Sequence, residues 1–240
     1  MRAVVRTGYG LWCWAIFVPL VVGVLLLGLP VASVTVRRRL ARSAARAFFR
    51  CSGIGFAITG LERLPPGACV VVANHSSYLD GVILQAALPP RFAFVIKREI
   101  VRVPLASLLL RRLGSEFVER FDRHKGGIDA RRVLRVAAAG QALAFFPEGT
   151  FTEQVGLGRF HAGAFVAAAR AGLPLVPAVI RGARLVLPPA AALPRRGAIA
   201  VEILEPVPAA GPGERDGAAR LRSAARAAML SHMTDPDLEA

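Results

Sequence analysis

Residues 67–88 read GACVVVANHSSYLDGVILQAAL, and this stretch decides the fold. GACVVVAN (67–74) is an apolar, strand-like run, and YLDGVILQAAL reads as the helix that follows it. Between them NHSSYLD (74–80) places His75 and Asp80 five positions apart at the strand's exit. The same alternation recurs along the chain. RFAFVIK (91–97) precedes VPLASLLLRRL, and GSEFVER (114–120) precedes IDARRVLRVAAAG. ALAFF (142–146) opens through PEGT (147–150) and a glycine-rich loop into AGAFVAAARAG. PLVPAVIRG and AIAVEILEPV are further strands, and GERDGAARLRSAARAAMLSHM is a C-terminal helix candidate. This rhythm predicts an α/β fold with a mixed, largely parallel sheet flanked by helices. Ligand-binding loops in such sheets gather at the carboxyl ends of the strands, where both NHSSYLD and PEGT fall. LPPAAALPRRG (187–197) reads as a proline-rich surface loop, and DPDLEA (235–240) as a frayed end.

The 240 residues are 54% hydrophobic and 20% charged, greasier than an average soluble domain. The excess is local, because no charged residue occurs from Thr7 to Val36. A continuous helix of that length reaches ~45 Å, against a hydrocarbon core of ~30 Å. Pro19 and Pro30 argue against a straight one, since each lacks an N–H donor and crowds the preceding turn. Two readings follow. One is a tilted or kinked transmembrane span, with Arg37, Arg38, Arg39, Arg42, Arg46 and Arg50 holding the next domain in the cytosol. The other is a re-entrant helix pair, since Arg2 and Arg6 flank the opposite side. A cleaved signal peptide ranks below both, because the apolar stretch is too long and ends in RRR without a small-residue cleavage site. Residues 1–50 are therefore expected to form a membrane-embedded helical segment with a basic amphipathic helix. Residues 51–240 form the α/β domain, expected on the cytoplasmic face of the inner membrane.

A net charge of +15 raises nucleic acid as a partner, yet the imbalance is strongest beside the membrane segment, with no acidic residue before Glu62. On a helical wheel for residues 37–51, Arg38, Arg42, Arg46 and Arg50 share one arc, opposite Leu40, Ala44, Ala47, Phe48 and Cys51. That pattern suits a helix on an anionic lipid surface, or the solvated face of a helix packed on the domain. Aromatic residues are not interleaved with the basic ones, so no nucleic-acid partner is expected. Cys13, Cys51 and Cys69 are odd in number and have no metal-ligand spacing, so neither a disulfide framework nor a zinc site follows.

His75 and Asp80 are candidates for a base and its orienting carboxylate. A carboxylate accepting one imidazole N–H fixes the tautomer, and the other nitrogen then takes a proton from a substrate hydroxyl. Ser76 and Ser77 are candidate nucleophiles, but the N-cap role suits them better. Four further blocks occur in order: KREIVRVP (97–104), GSEFVER (114–120), FPEGT (146–150) and LPLVP (173–177). With NHSSYLD they resemble the glycerolipid acyltransferases, the lysophosphatidic acid acyltransferases and their relatives, over residues 50 to 205. The resemblance implies transfer of an acyl chain from acyl-CoA or acyl carrier protein to a lysolipid hydroxyl, without a covalent acyl-enzyme. His75 matches the family's general base and Asp80 its orienting acid. Lys97 and Arg120 match basic positions that hold the acceptor's phosphate, although both also suit plain strand-end charges. Glu148, Gly149 and Thr150 match the third block, tied to acceptor binding and loop geometry. Glu148 also reads as a structural carboxylate bonding N–H groups in its own tight turn. Pro177 matches the fourth, structural block. No metal or other cofactor is implied, and membrane lipids are the expected partners.

Two departures from the family pattern bear on the acceptor. The third block usually continues Thr-Arg-Ser; here it is Thr150-Phe151-Thr152. Many members then read Phe-Lys-x-Gly-Ala, where this chain has Phe160-His161-Ala162-Gly163-Ala164, with Arg159 as a compensating charge. Losing an arginine removes a forked donor suited to phosphate. Lysophosphatidic acid, giving phosphatidic acid, is the first expected acceptor, and an amino-lipid or glycolipid precursor the second. A serine lipid hydrolase and a non-catalytic acyl-binding membrane module complete the alternatives.

Overall fold

The structure, a computed structural model, describes residues 2–119, 123–211 and 213–239. The expected alternation is present. In chain order the elements are α1 (Arg2–Gly28), α2 (Val34–Ser52), β1 (Gly55–Thr59), β2 (Val70–Ala73), α3 (Asp80–Ala87), β3 (Ala93–Lys97), α4 (Pro104–Arg112) and β4 (Glu116–Val118). There follow α5 (Arg123–Ala138), β5 (Leu143–Phe145), α6 (Gly163–Ala171), β6 (Leu175–Arg181), α7 (Ala183–Val186), β7 (Ala198–Ile203) and α8 (Gly217–Ser231). The strands form one mixed sheet in the order β1-β7-β6-β2-β5-β3-β4. Every pairing is parallel except β6 with β7. Strand β1 has no counterpart among the expected strands. It is an edge strand whose pairing, Gly55 with Ala198 through Thr59 with Glu202, is set by a distant segment.

The sheet is covered on both faces, and β2 shows why its sequence is continuously apolar. Val71 and Ala73 pack with Phe48, Phe49, Ile83 and Leu84 from α2 and α3. Val70 and Val72 face Val133, Phe165, Leu221 and Met229 from α5, α6 and α8. All four β2 residues are buried, as expected of a parallel strand sandwiched between helical layers.

Helix α1 contains one stretch, Val4–Gly28, long and apolar enough to cross a membrane, with a mean hydropathy of 2.4. It continues through Pro19 and ends just before Pro30. It does not stand away from the domain. Near its start the Tyr9 hydroxyl donates to the Ser52 carbonyl (3.1 Å) and the Trp14 indole to the Ala192 carbonyl (2.9 Å). Toward its end Val24 packs with Ala41 and Leu113. The two helices thus form an antiparallel hairpin laid along the α/β domain. Leu11, Trp12, Val18, Val22, Leu26 and Leu27 remain exposed on it.

The arginine arc of α2 corrects the sequence reading in part, because Arg38 is buried and Arg42 half-buried, while Arg46 and Arg50 stay exposed. Arg38 is buried and donates to the carbonyls of Leu113 (2.8 Å), Gly114 (3.2 Å) and Arg91 (3.3 Å). Arg42 reaches the Ala87 carbonyl (3.1 Å) and Arg46 that of Ala86 (2.9 Å). Apart from that of Arg91, these carbonyls end α3 or follow α4, where a helix leaves acceptors without donors and carries partial negative charge. The arginines cap two helices, and only their outer neighbours Arg39 and Arg50 join Arg46 on the exposed side.

Candidate active site

His75 leaves the central strand β2 at its carboxyl end. Asn74, buried just before it, fastens that end to β6: its amide donates to the Ile180 carbonyl (2.9 Å) and its oxygen accepts the Ile180 N–H (2.7 Å). The chain then turns so that Asp80, the first residue of α3, points back. Its Oδ2 accepts the N–H of Ser76 (2.6 Å) and Ser77 (2.8 Å) and lies 2.8 Å from His75 Nδ1. Asp80 is fully buried, whereas the imidazole is 15% exposed. A carboxylate fixed by two backbone N–H groups is an acceptor only, so Nδ1 carries the proton and Nε2 is left as the basic nitrogen.

The serines do not act as N-caps, and Ser77 is not placed as a nucleophile. Its buried hydroxyl donates to the Leu187 carbonyl (2.8 Å) and accepts the Leu79 N–H (3.1 Å), shaping the turn before α3.

Strand β5 lies beside β2, with Phe145 opposite Val72, and its exit carries the second loop. Phe146 stacks on the His75 ring at 4.3 Å and 17°. Pro147 and Glu148 form a turn closed by the Gly149 N–H to the Phe146 carbonyl (3.0 Å), and Gly149 sits at φ +80°, where a side chain is strained. The Glu148 carboxylate does not bond within its own turn. Oε1 accepts the His75 N–H (2.7 Å) and Oε2 the Gly158 N–H (2.8 Å), so it ties β2 to the following loop. Burial raises its pKa, with the two N–H groups pulling the other way. Stability from this carboxyl is therefore greatest at low pH and is lost as pH rises through its folded value. Glu148→Gln is expected to lower kcat about 10–100-fold by losing one charge-assisted bond to the loop that holds His75. Its Tm is expected to gain on wild type as pH climbs from acid to neutral, in thermal melts across that range.

The other expected site residues divide. Val95 of β3 also lies opposite Phe145, so Lys97 leaves the sheet at the same end as His75, two strands away. Thr150 is exposed. His161 lies near this loop, its N–H on the Pro147 carbonyl (2.9 Å). Arg159 is 79% exposed and its guanidinium is 3.9 Å from Glu239. Arg120 lies outside the described residues.

Three features escape a reading of motifs. Phe151 meets the His75 ring edge-on at 4.7 Å and 78°, and Tyr78 packs on Phe151 at 4.7 Å and 88°. The imidazole is thus held between two phenyl rings. Beside Lys97, the Arg98 guanidinium grips Asp129 through contacts of 2.6 and 2.7 Å, and Asp129 accepts the Glu119 N–H (3.0 Å). Burial pushes the Asp129 pKa up, but these donors and Arg132 outweigh it and hold the carboxyl below its usual range. Finally, the N–H groups of Ser76, Ser77, Leu79 and Gly149 are engaged within the loops, so they shape the site rather than face a substrate.

A family model described as acyltransferase matches residues 55–181, more than half of the chain. The chain belongs to the glycerolipid acyltransferase family. A lyso-ornithine lipid O-acyltransferase of Pseudomonas aeruginosa is 30% identical over 84% of this chain and 83% of its own length. A chloroplastic 1-acyl-sn-glycerol-3-phosphate acyltransferase of Brassica napus is 33% identical over 55% of the chain. The chain spans only 38% of that relative, and 56% of a Saccharomyces cerevisiae enzyme of the same name. The crystal structure of PlsC, the 1-acyl-sn-glycerophosphate acyltransferase of Thermotoga maritima, superposes with a TM-score of 0.78. At 21% identity it covers 95% of this chain and 96% of the other. That likeness extends the shared acyltransferase fold over the α1–α2 hairpin as well as the sheet.

Proposed function

We propose that this acyltransferase moves a fatty acyl chain from a thioester, acyl-CoA or acyl carrier protein, to the free hydroxyl of a lysolipid. The observation that carries the reading is the His75–Asp80 pair, with Nδ1 held by a buried carboxylate and Nε2 left basic. Nε2 takes the proton of the acceptor hydroxyl as its oxygen attacks the thioester carbonyl. The tetrahedral adduct collapses, the carbon–sulfur bond breaks, and the imidazolium returns the proton to the departing thiolate. Asp80 stabilises the imidazolium between these steps. The products are an ester and a free thiol, and no further cofactor is required.

The exposed apolar face of α1, continued by Val103, Leu105 and Leu108 at α4, is the surface that enters the membrane. Both ends of α1 contact the domain, which supports a hairpin seated in one leaflet over a helix crossing both. A cytosolic thioester donor sets the domain on the cytoplasmic face of the inner membrane in this reading.

Lysophosphatidic acid is the first acceptor, supported by the curated relatives and by Lys97 at the strand ends. A lyso-amino-lipid is the second, favoured by Phe151 standing on His75 where the family has an arginine, and by the Pseudomonas relative. Purified enzyme in mixed micelles, offered both acceptors with thiol release as readout, decides between them. Phe151→Arg is expected to shift the kcat/KM ratio toward lysophosphatidic acid by about 10–100-fold, the worth of one charge-assisted bond to phosphate. An unchanged ratio would remove Phe151 from acceptor selection.

A further inference from the structure

The segment Pro236–Glu239, read from sequence as frayed, is bound to the back of the loop that holds His75. Leu157, fully buried, donates its N–H to the Pro236 carbonyl (2.8 Å) and accepts the Leu238 N–H (3.1 Å). A Cβ on Gly156 would come within 2.5 Å of Leu238, so loop and segment fit closely. Arg226 of α8 locks the two together. Its guanidinium donates to the carbonyls of Gly158 (2.7 Å) and Leu157 (3.0 Å), pairs with Asp237, and lies 3.1 Å from Glu239. It also rests over the Phe160 ring at 5.0 Å.

Gly158 is the link to the chemistry. Its carbonyl is held by Arg226 while its N–H bonds Glu148 Oε2, and Glu148 Oε1 holds the His75 N–H. A Cβ there would meet Oε2 at 2.8 Å, so the contact depends on bare backbone. At the loop's other end Arg184 donates to the carbonyls of Thr152, Glu153 and Gln154 (2.9–3.0 Å), next to Phe151 on the His75 ring.

We infer that Arg226 and the segment 236–239 are positioning elements of the acyl-transfer site, acting through Gly158 and Glu148 on His75. The inference rests on the acyltransferase reading for its kinetic consequence. None of these groups touches substrate in that reading. Their effect is on the placement of the base, where a displacement of about 1 Å can cost about a hundredfold in rate.

The test compares wild type with Arg226→Met, Arg226→Lys, Asp237→Ala and a deletion of residues 236–240. Steady-state kinetics are run beside amide hydrogen exchange. Arg226→Met and the deletion are expected to lower kcat at least tenfold with KM for the acyl donor within twofold. The Gly158 and His75 amides are expected to exchange faster. Asp237→Ala, which keeps the Arg226–carbonyl bonds, is the mild variant for use if the deletion does not fold. It and Arg226→Lys are expected to fall between. Unchanged exchange at His75 and Gly158, or kcat within twofold of wild type in both Arg226→Met and the deletion, overturns the inference. Wild-type enzyme inactive on every lysolipid would instead overturn the functional reading, and the exchange measurements would still decide whether Arg226 and residues 236–239 position His75.

Discussion

His75→Ala is expected to lower kcat for acyl transfer by about 10³-fold, within the range of about 10²–10⁴ that a positioned acid–base group contributes. The substitution removes the nitrogen proposed to accept the hydroxyl proton. The backbone N–H of residue 75 keeps its bond to Glu148, and Asn74 still fastens the strand end to Ile180. The loop therefore keeps its course, and KM for both substrates is expected to stay within a few-fold. The limb of the pH–rate profile that reports protonation of the base is expected to vanish, leaving a flat residual rate. Release of thiol from acyl-CoA with and without acceptor, followed continuously, provides the measurement. A variant retaining a tenth of wild-type kcat would show that another group takes the proton.

Asp80→Asn is expected to be as damaging, with kcat down about 10³–10⁴-fold, because the imidazolium loses the buried negative charge that stabilises it. Asp80 Oδ2 serves three donors, and two of them are backbone N–H groups that cannot turn away. An asparagine oxygen in the place of Oδ2 keeps those three bonds without the charge, and its NH₂ falls at Oδ1, a buried position with no hydrogen-bond partner. The side chain must leave that NH₂ unsatisfied or turn it toward three N–H donors, and either way the imidazolium formed on proton transfer has no carboxylate beside it. Because the two residues act as one unit, the double variant is expected to be no slower than the worse single one. Additive losses in that cycle would separate Asp80 from the action of His75.

The central strands and helices are legible locally, because a buried parallel strand is an unbroken apolar run and α3, α6 and α8 follow glycine or polar punctuation. Strand β1 is not legible that way. GFAIT has only two large apolar residues, and its half-exposed pattern is stabilised by backbone pairing to β7. The arginines of α2 misled for a related reason. A helical wheel shows that Arg38, Arg42 and Arg46 share an arc, but not that the carbonyls ending α3 lie under it. In the site, His75 and Asp80 are five residues apart and can be paired from the sequence. Glu148 cannot be assigned in this way, since its partners, His75 and Gly158, come from two different loops.

The sequence by itself determined the alternating α/β order, the pairing of His75 with Asp80, the apolar N-terminal helix and, through four ordered blocks, the family. Each depends on residue types at short, fixed spacings. Only the tertiary structure decided that α1 folds back along the domain, that Phe151 stands against the His75 ring, and that Pro236–Glu239 braces Gly158. These are hydrogen bonds and ring contacts between segments distant in the chain. Buried backbone groups must find partners somewhere, and which segment supplies them is settled only when the layers pack.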